Sequence, residues 1–556
     1  MEYKWTVLAN TTMGGLMASI NSTIVLISLP AIFRGLNVDP TAPGNFVLLL
    51  WVLMGYMLVT ASFLVTFGRL SDYHGRKKLY TMGFSIFAGA SIFLSLVPYN
   101  SGVSGAIYII IFRLVQAVGG GLIMVNSVAL LTDAFPDNER GKALGLNQVA
   151  FMAGSFIGIV LGGVLAAVDF HLVFIINIPF AIAGAIWSYK FIKEEKFKIK
   201  REGTDYAGNF ALSLGMVLVS LGLTYSLEPY HSSSLGWGNP WVIASLIAGV
   251  ISISSFIFIE LKSKYPLFNL HLFRRRAFSF GTLSLLFNTL ARGAVMFLVI
   301  IWLQGVYLPL HGFSISSTPF WAGIYMIPLM LGFIAFGPIS GYLTDKYGAR
   351  IFSTTGIGVN IVGLLALTLL PANFSLIPFF IILFIIGAGG GLFSAPNTKR
   401  VMDALPKEDR GAGNGIRTTF MNIGQLISLG FFFTIAITVF SVMLPSVIIQ
   451  KTTALGLPLS ISQSLAGIPA SGMLFSAFLG INPVKSFVAT LPANVTASIP
   501  PSTLSAITAD KFIPALISGA FIQGFRTSIY ISISFLIIAI ILSGLIKRRY
   551  EGAVKD

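Results

Sequence analysis

The sequence predicts an all-α membrane protein built from two six-helix bundles, with a two-helix insertion between them and fourteen crossings in all. Three observations predict it. Charged residues make up only 10% of the chain and hydrophobic ones 55%, whereas a soluble domain carries about 25% charged residues. Apolar runs of bilayer length recur from one end of the sequence to the other. Three short motifs of the first part return, in order, about 270 residues later.

Composition also excludes. There is no cysteine, so neither a disulfide framework nor a thiolate centre is available. The five histidines, His74, His171, His231, His271 and His311, never fall in a metal-ligand spacing, and no metal or cofactor is expected. The net charge of +16 sits in short clusters between apolar runs, as in Arg76-Lys77-Lys78, Arg274-Arg275-Arg276 and Lys547-Arg548-Arg549. A nucleic-acid binder needs a continuous basic face, so nucleic acid is not expected as a partner.

About 20 apolar residues cross a bilayer. With that window the spans fall near 5–33, 46–68, 79–97, 104–130, 141–167, 171–193, 206–227, 239–260, 279–308, 319–343, 351–371, 374–398, 413–443 and 521–546. The first lacks a small-residue cleavage pattern and is too long for a signal peptide, so it is expected to remain in the mature protein. Lys and Arg in the connections set orientation. With the N-terminus inside, 28 of the 36 fall on the inner side and 5 on the outer: Arg34, Lys451, Lys485, Lys511 and Arg526. Both termini are therefore expected in the cytoplasm, and the cell membrane is the expected location. Residues 444–520 read as a large outer loop whose apolar helices lie on the membrane or over the mouth, because Gly467 and Pro469 interrupt the stretch 459–481. Asn494-Val495-Thr496 is a glycosylation triplet on that side.

The repeat supplies the domain plan. Ala134-Phe-Pro-Asp-Asn-Glu-Arg140-Gly141 returns as Ala404-Leu-Pro-Lys-Glu-Asp-Arg410-Gly411, and Gly119-Gly-Gly121-Leu122 as Gly389-Gly-Gly391-Leu392. Gly68-Arg-Leu70-Ser-Asp72-Tyr-His-Gly75 returns as Gly341-Tyr-Leu343-Thr-Asp345-Lys-Tyr-Gly348. Parallel six-helix repeats with a site between them are the plan of a rocking transporter. The expected units are a bundle at 1–196, an inserted hairpin with its flanks at 197–276, and a second bundle at 277–556 that includes the outer loop.

These motifs resemble the major facilitator superfamily, and within it the fourteen-helix drug:proton antiporters, over all but the outer loop. The resemblance implies a cytoplasmic gate motif at Gly68, Leu70, Asp72, Gly75, Arg76 and Lys77, with Tyr73 where a basic residue is usual. Asp72 and its repeat Asp345 would meet a helix N-terminus or Arg76 as a charge latch, or else be solvated loop charges. Asp133, at the inner end of the fourth span, is placed with that gate. The fourth-helix motif matches at Arg113, Gln116, Gly119 and Gly121, with Ala117 replacing a glycine. Arg113 then faces a polar interior or posts to backbone carbonyls. The antiporter motif of the fifth helix matches at Gly145, Gly154, Gly158, Gly162 and Gly163, with Ile159 replacing its proline. Glycines at that spacing let a neighbouring backbone approach closely. The first helix departs from the family: Asn21 stands where an acidic residue associated with proton coupling is usual, and Asn does not titrate.

No carboxylate and no histidine lies in the middle of a span. The two deep charges singled out are Arg113 and Arg292, and Arg292 lies 271 residues after Asn21. Proton coupling would have to use an acid near a helix end, such as Asp133 or Asp72. A positive cavity disfavours cationic compounds and suits anionic or neutral amphipathic ones. Candidate cavity residues besides Asn21, Arg113, Gln116 and Arg292 are Asn126, Asn288, Gln304, Tyr307, Asn397, Asn422 and Gln425; each could instead bridge two helices. The expected function is export of small amphipathic or hydrophobic compounds by alternating access, with multidrug-type proton antiport implied by the resemblance. The competing reading is a uniporter or exchanger for an anionic or lipid-like metabolite. An intramembrane enzyme would need catalytic acids, a metal set or an activated nucleophile in a span, and none is present. Since both halves lie in one chain, a monomer suffices.

Overall fold

A computed structural model describes residues 2–194, 205–231, 233, 235–264, 266, 268–406, 409–492, 496 and 499–546, without the side chains of some of these, Asp72 and Asp345 among them. Asn494 and Val495 of the glycosylation triplet, residues 196–201 and Lys547-Arg548-Arg549 fall outside the described residues.

The first half runs α1 (Tyr3–Leu36), α2 (Asn45–His74), α3 (Arg76–Leu94), α4 (Gly102–Ala134), α5 (Asp137–Val168) and α6 (Leu172–Phe191). The insertion is α7 (Tyr206–Tyr225) and α8 (Pro240–Lys262). The second half holds α9 (Arg276–Trp302, continued by a π turn Leu303–Tyr307), α10 (Thr318–Tyr325 leading into Ile327–Tyr347), α11 (Ala349–Leu369), α12 (Leu376–Asp403) and α13 (Arg410–Ala454). Four short helices follow, α14 (Leu459–Ala466), α15 (Ala470–Leu479), α16 (Pro483–Thr490) and α17 (Pro501–Thr508), before α18 (Phe512–Leu545). Starts carry local capping: Asp205 accepts from Gly208 N–H and Asn239 from Trp241 N–H ahead of α7 and α8. The turns α2–α3 and α10–α11 each rest on a glycine at positive φ, Gly75 (100°) and Gly348 (89°), which explains why the repeated motif keeps glycine there.

Partnerships repeat between the halves. α3 packs on α4 as α11 on α12, α2 on α4 as α10 on α12, and α1 on α5 as α9 on α13. In the first half, α5 runs parallel to α1 with Gly154 over Leu16, Gly158 over Ile20 and Gly162 over Ile24. A Cβ on any of the three would come within 2.7 Å of an α1 carbonyl oxygen, so glycine is what permits this approach. Thr23 donates to Ser155 O (2.7 Å) and Ser28 to Gly162 O (3.0 Å) along the same seam. The insertion bridges the halves: Asn209 bonds Ser62 O (3.2 Å) and the Thr66 hydroxyl on α2, and Thr434 of α13 donates to Leu223 O (3.2 Å) on α7.

Both termini lie at one end. α10 runs antiparallel to α5, with Gly163 against Pro319 and Gly323 against Ile159, and Arg350 at the start of α11 reaches Gly544 O (2.6 Å) near the end of α18. This is the terminal end; the opposite one is the far end.

Twelve helices among the described residues are long and apolar enough to cross a membrane, or thirteen if the bent pair Ala470–Leu479 and Pro483–Thr490 is one span, so the count of fourteen is not confirmed. The other two long helices are α3, which opens on Arg76-Lys77-Lys78, and α5, whose apolar part among the described residues is Ala153–Val168. The outer loop is shorter than 444–520, because α13 continues through Pro445 to Ala454 and α18 begins at Phe512. Buried Leu444 and Ile448 extend the apolar face of α13, and Lys451 donates to Ala515 O (2.7 Å) across to α18. Within that segment, every residue of α15 is buried within the protein rather than laid on the membrane, as a helix over the mouth would be.

Candidate functional site

The polar residues within the helices form two groups of different character. In the first half, Asn21 Nδ2 donates to Gln116 Oε1 (3.1 Å), and Asn177 Nδ2 donates to Asn21 Oδ1 (3.2 Å). Gln116 Nε2 donates in turn to the Ser91 hydroxyl (2.9 Å). Arg113 donates to Gln116 Oε1 (3.1 Å), Val52 O (3.3 Å) and Asn21 O (3.5 Å), and its guanidinium lies over the Tyr56 ring at 4.7 Å. Carbonyl dipoles and a ring face thus hold this charge within the bundle. Arg113 is 1% exposed, and Asn21 and Gln116 are fully buried. Asn126 is also buried, its Nδ2 bonded back to Leu122 O (2.8 Å).

The second half is less satisfied. Arg292, sixteen residues into α9, is about 24 Å from the helix start at 1.5 Å per residue, near mid-membrane. It is only partly buried, and its guanidinium lies on α12 where Gly390 leaves room: a Cβ there would meet Nη1 at 2.5 Å and Nη2 at 2.7 Å. Gln425 on α13 is exposed, and Gly293 packs beside it. Charged and amide groups at this depth are costly toward lipid. The helix of Arg292 adds buried Asn288, and α12 and α13 add buried Asn397 and Asn422, each with one amide atom that no protein group bonds; Asn397 Nδ2 donates to Gly281 O (3.3 Å). Arg417 donates to the Thr398 hydroxyl (2.5 Å), and its Nε has no protein partner.

Gln304 and Tyr307 lie at the far end in the π turn. Gln304 Nε2 donates across to Ile27 O on α1 (3.1 Å), so it joins the halves. Tyr307 stacks on Phe374 (3.9 Å) and His311 (4.0 Å) in an aromatic cluster with Trp302.

At the terminal end Arg76 pairs with Asp133 at 2.6 and 2.7 Å, joining the start of α3 to the end of α4. The Asp72 and Asp345 side chains are outside the described residues, as are the surroundings of Gly145. Gly68 packs against Val125. Tyr56 and Thr398 join the site without any sequence signal that marks them, whereas Gly390 stands inside the repeated motif Gly389-Gly-Gly391. Asn177 also carries a signal, as the single amide side chain within the apolar run 171–193, and sequence reasoning missed it.

The far end is closed by contacts between the halves. Besides Gln304 with Ile27, Phe46 stacks on Phe433 (5.5 Å), and Gly163 and Gly323 bring α5 and α10 into backbone contact. α15 wedges into this closure: Phe475 meets Phe33 (5.4 Å) and Phe46 (5.6 Å), and Arg34 donates to Leu479 O (3.0 Å).

Residues 11–429 match the family model described as Major Facilitator Superfamily. The chain belongs to the Major Facilitator Superfamily. It is accordingly a multi-pass membrane transporter. Among curated relatives, it is 28% identical over 436 residues to the riboflavin transporter RibZ of Clostridioides difficile, covering 78% of this chain and 88% of that protein. It is 28% identical to the multidrug transporter protein MdtP of Bacillus subtilis, covering 73% and 70%. Against the putative multidrug resistance protein MdtD of Salmonella paratyphi A, identity is 28%, covering 75% and 83%. Among solved structures, a bacterial homolog of the human lysosomal transporter Spinster, inward-facing and unoccupied, superposes with TM-score 0.53 at 17% identity, covering 98% of this chain and 96% of that one. That likeness carries the fold alone.

Proposed function

We propose that this superfamily member exports small amphipathic compounds by alternating access, as a monomer in the cell membrane, with the terminal end in the cytoplasm. The observation that carries the reading is the pairing of a sealed far end with Arg292 and Gln425, which stay accessible at mid-membrane. A carrier closed on one side and open to its central site from the other is one of the two states that alternating access requires. The 28-to-5 split of basic residues supports placing the terminal end inside. Multidrug relatives of similar length support export.

Proton coupling is the finer part of this reading. Asn21 is held by Gln116 and Asn177 and has no proton to exchange, so the coupling acid would be Asp133 or Asp72 at the terminal end. The second reading, a uniporter or exchanger, is favoured by that same Asn21 and by the riboflavin transporter among the relatives.

The test is flux into proteoliposomes containing the pure protein, using a cationic dye and an anionic amphiphile with and without an imposed pH gradient. Gradient-driven movement is expected for antiport. Movement indifferent to the gradient would replace antiport with the uniporter or exchanger, and no movement of any compound would remove the transport reading.

A further inference from the structure

We propose that Arg292, laid on the backbone at Gly390, is the group by which the central cavity binds its substrate, and that the substrate class is small amphipathic anions: an apolar ring or acyl body bearing one carboxylate or sulfonate. The inference rests on the transport reading and names the substrate of that site.

Four observations converge. Arg292 stands near mid-membrane, where an unpaired charge is expensive and is retained for something it binds. Among the described residues no hydrogen bond or ion pair reaches its guanidinium, in contrast to Arg113, which makes three hydrogen bonds and lies on Tyr56. Both arginines lie at comparable depth in repeated halves, so depth does not explain the difference; one is absorbed into its bundle and the other presented to the cavity.

Third, the repeat builds corresponding notches. Gly120 and Gly390 stand 270 residues apart. A Cβ at Gly120 would strike the Tyr56 hydroxyl, and one at Gly390 would strike the Arg292 guanidinium. The first notch seats the ring that holds Arg113. The second seats the arginine itself, fixing a planar two-pronged donor flat against a helix, the geometry that suits a carboxylate or sulfonate.

Fourth, the wall nearby offers positive charge and no acid. Arg417, closer to the terminal end, has a buried Nε without a protein partner. None of the sequence's carboxylates falls in the middle of a span. A cation would meet two guanidinium groups there with nothing to offset them, whereas an anion entering from the terminal end meets Arg417 and then Arg292. Partly buried Met296, four residues on from Arg292 and so on the same face of the helix, supplies apolar surface for the body of the molecule.

Naphthalene-2-sulfonate and 1-methylquinolinium, two fused-ring ions of similar size and opposite charge, provide the test. Counterflow in proteoliposomes and equilibrium dialysis against the purified protein would be measured for wild type, Arg292→Gln, Arg292→Lys and Gly390→Ala. Wild type is expected to bind and exchange the sulfonate in preference to the quinolinium. Arg292→Gln should weaken sulfonate binding roughly tenfold or more, the loss of a charge-assisted hydrogen bond, with Arg292→Lys retaining part of it. Gly390→Ala keeps the charge but pushes the guanidinium off its seat, so it should fall between wild type and Arg292→Gln, with an unchanged melting temperature. Quinolinium bound as well as sulfonate by wild type, or sulfonate binding unchanged in Arg292→Gln, overturns the proposal. Sulfonate binding lost in Arg292→Gln while wild type exchanges nothing would uphold the anion site and sink the transport reading instead.

Discussion

At the scale of single residues, Gln116 has the most to lose. Its amide oxygen accepts from both Asn21 and Arg113 and its nitrogen donates to Ser91. Replacing it by Ala leaves buried donors on two partners unpaired, at a cost of about 1–3 kcal/mol for each orphaned group. Gln116→Ala should therefore lower the melting temperature clearly, while Asn126→Ala, which breaks one bond within its own helix, should do little; equal effects in thermal unfolding would refute the network's role. Glu228, in the α7–α8 connection, adds a pH dependence. Burial raises its pKa above the ordinary value of 4.5, although it accepts from Gly44 N–H at 2.9 Å. A carboxyl whose folded pKa is raised favours the folded state below its unfolded pKa, and that advantage is lost as pH rises through the folded value. Glu228→Gln should thus melt no lower than wild type at pH 8 and show a flatter melting profile between pH 4 and 8. The sequence disclosed the depth of Arg113 and Arg292 but not their surroundings. Depth follows from position in an apolar run; whether Tyr56 or the backbone at Gly390 meets the guanidinium depends on helix rotation and on residues far away along the chain.

At the scale of elements, α15 is the segment whose place cannot be read from sequence. Ala470–Leu479 is apolar on every face, with Pro469 before it and Gly480 after it. Such a helix has no polar side to distinguish burial in lipid from burial in protein. Its position follows from partners distant in sequence: Phe33, Arg34 and Phe46 from the first half, and the π turn of α9 from the second. By contrast, the fifth-helix glycines are legible, because a four-residue spacing has one geometric meaning and α1 occupies the face they clear. The wedge can be tested with paired cysteines, since the chain has none of its own. A Cβ at Gly472 would lie 3.3 Å from Thr41 Cα, within reach of a disulfide from Thr41→Cys to Gly472→Cys. Oxidation should halt transport in proteoliposomes and reduction restore it. Undiminished flux in the oxidised protein would mean that α15 stays in place through the cycle and is a fixed part of the wall.

At the scale of the whole molecule, the two-bundle plan is legible because duplication leaves motifs at a constant offset, and the helix partnerships repeat accordingly. The number of crossings is less so: α3 and α5 belong to the first bundle by packing but lack the uninterrupted apolar length that twelve other helices have among the described residues. What the repeat cannot convey is how the halves meet, and here two glycines of a single helix separate stability from switching. Gly154 of α5 faces α1 within its own half, where a Cβ would lie 2.7 Å from Leu16 O. Gly163, nine residues on, faces the other half, where a Cβ would lie 2.6 Å from Pro319 O and 2.9 Å from Phe320 Cα. Both are backbone contacts that no rotamer change relieves, so in each case the helices must separate. Gly154→Val forces apart two helices of one rigid bundle and should reduce stability and yield. Gly163→Val forces apart the two bundles only at the far end, which is the motion that opens that side in a rocking carrier. Its expected signature is a population shift with the fold intact: a single Gln304→Cys at the seam should react faster with a membrane-impermeant maleimide applied from the far side, at an unchanged melting temperature. A Gly163→Val protein that melts like Gly154→Val, with the introduced thiol no more reactive than before, would mean that α5 and α10 form a permanent joint and that the halves do not part there.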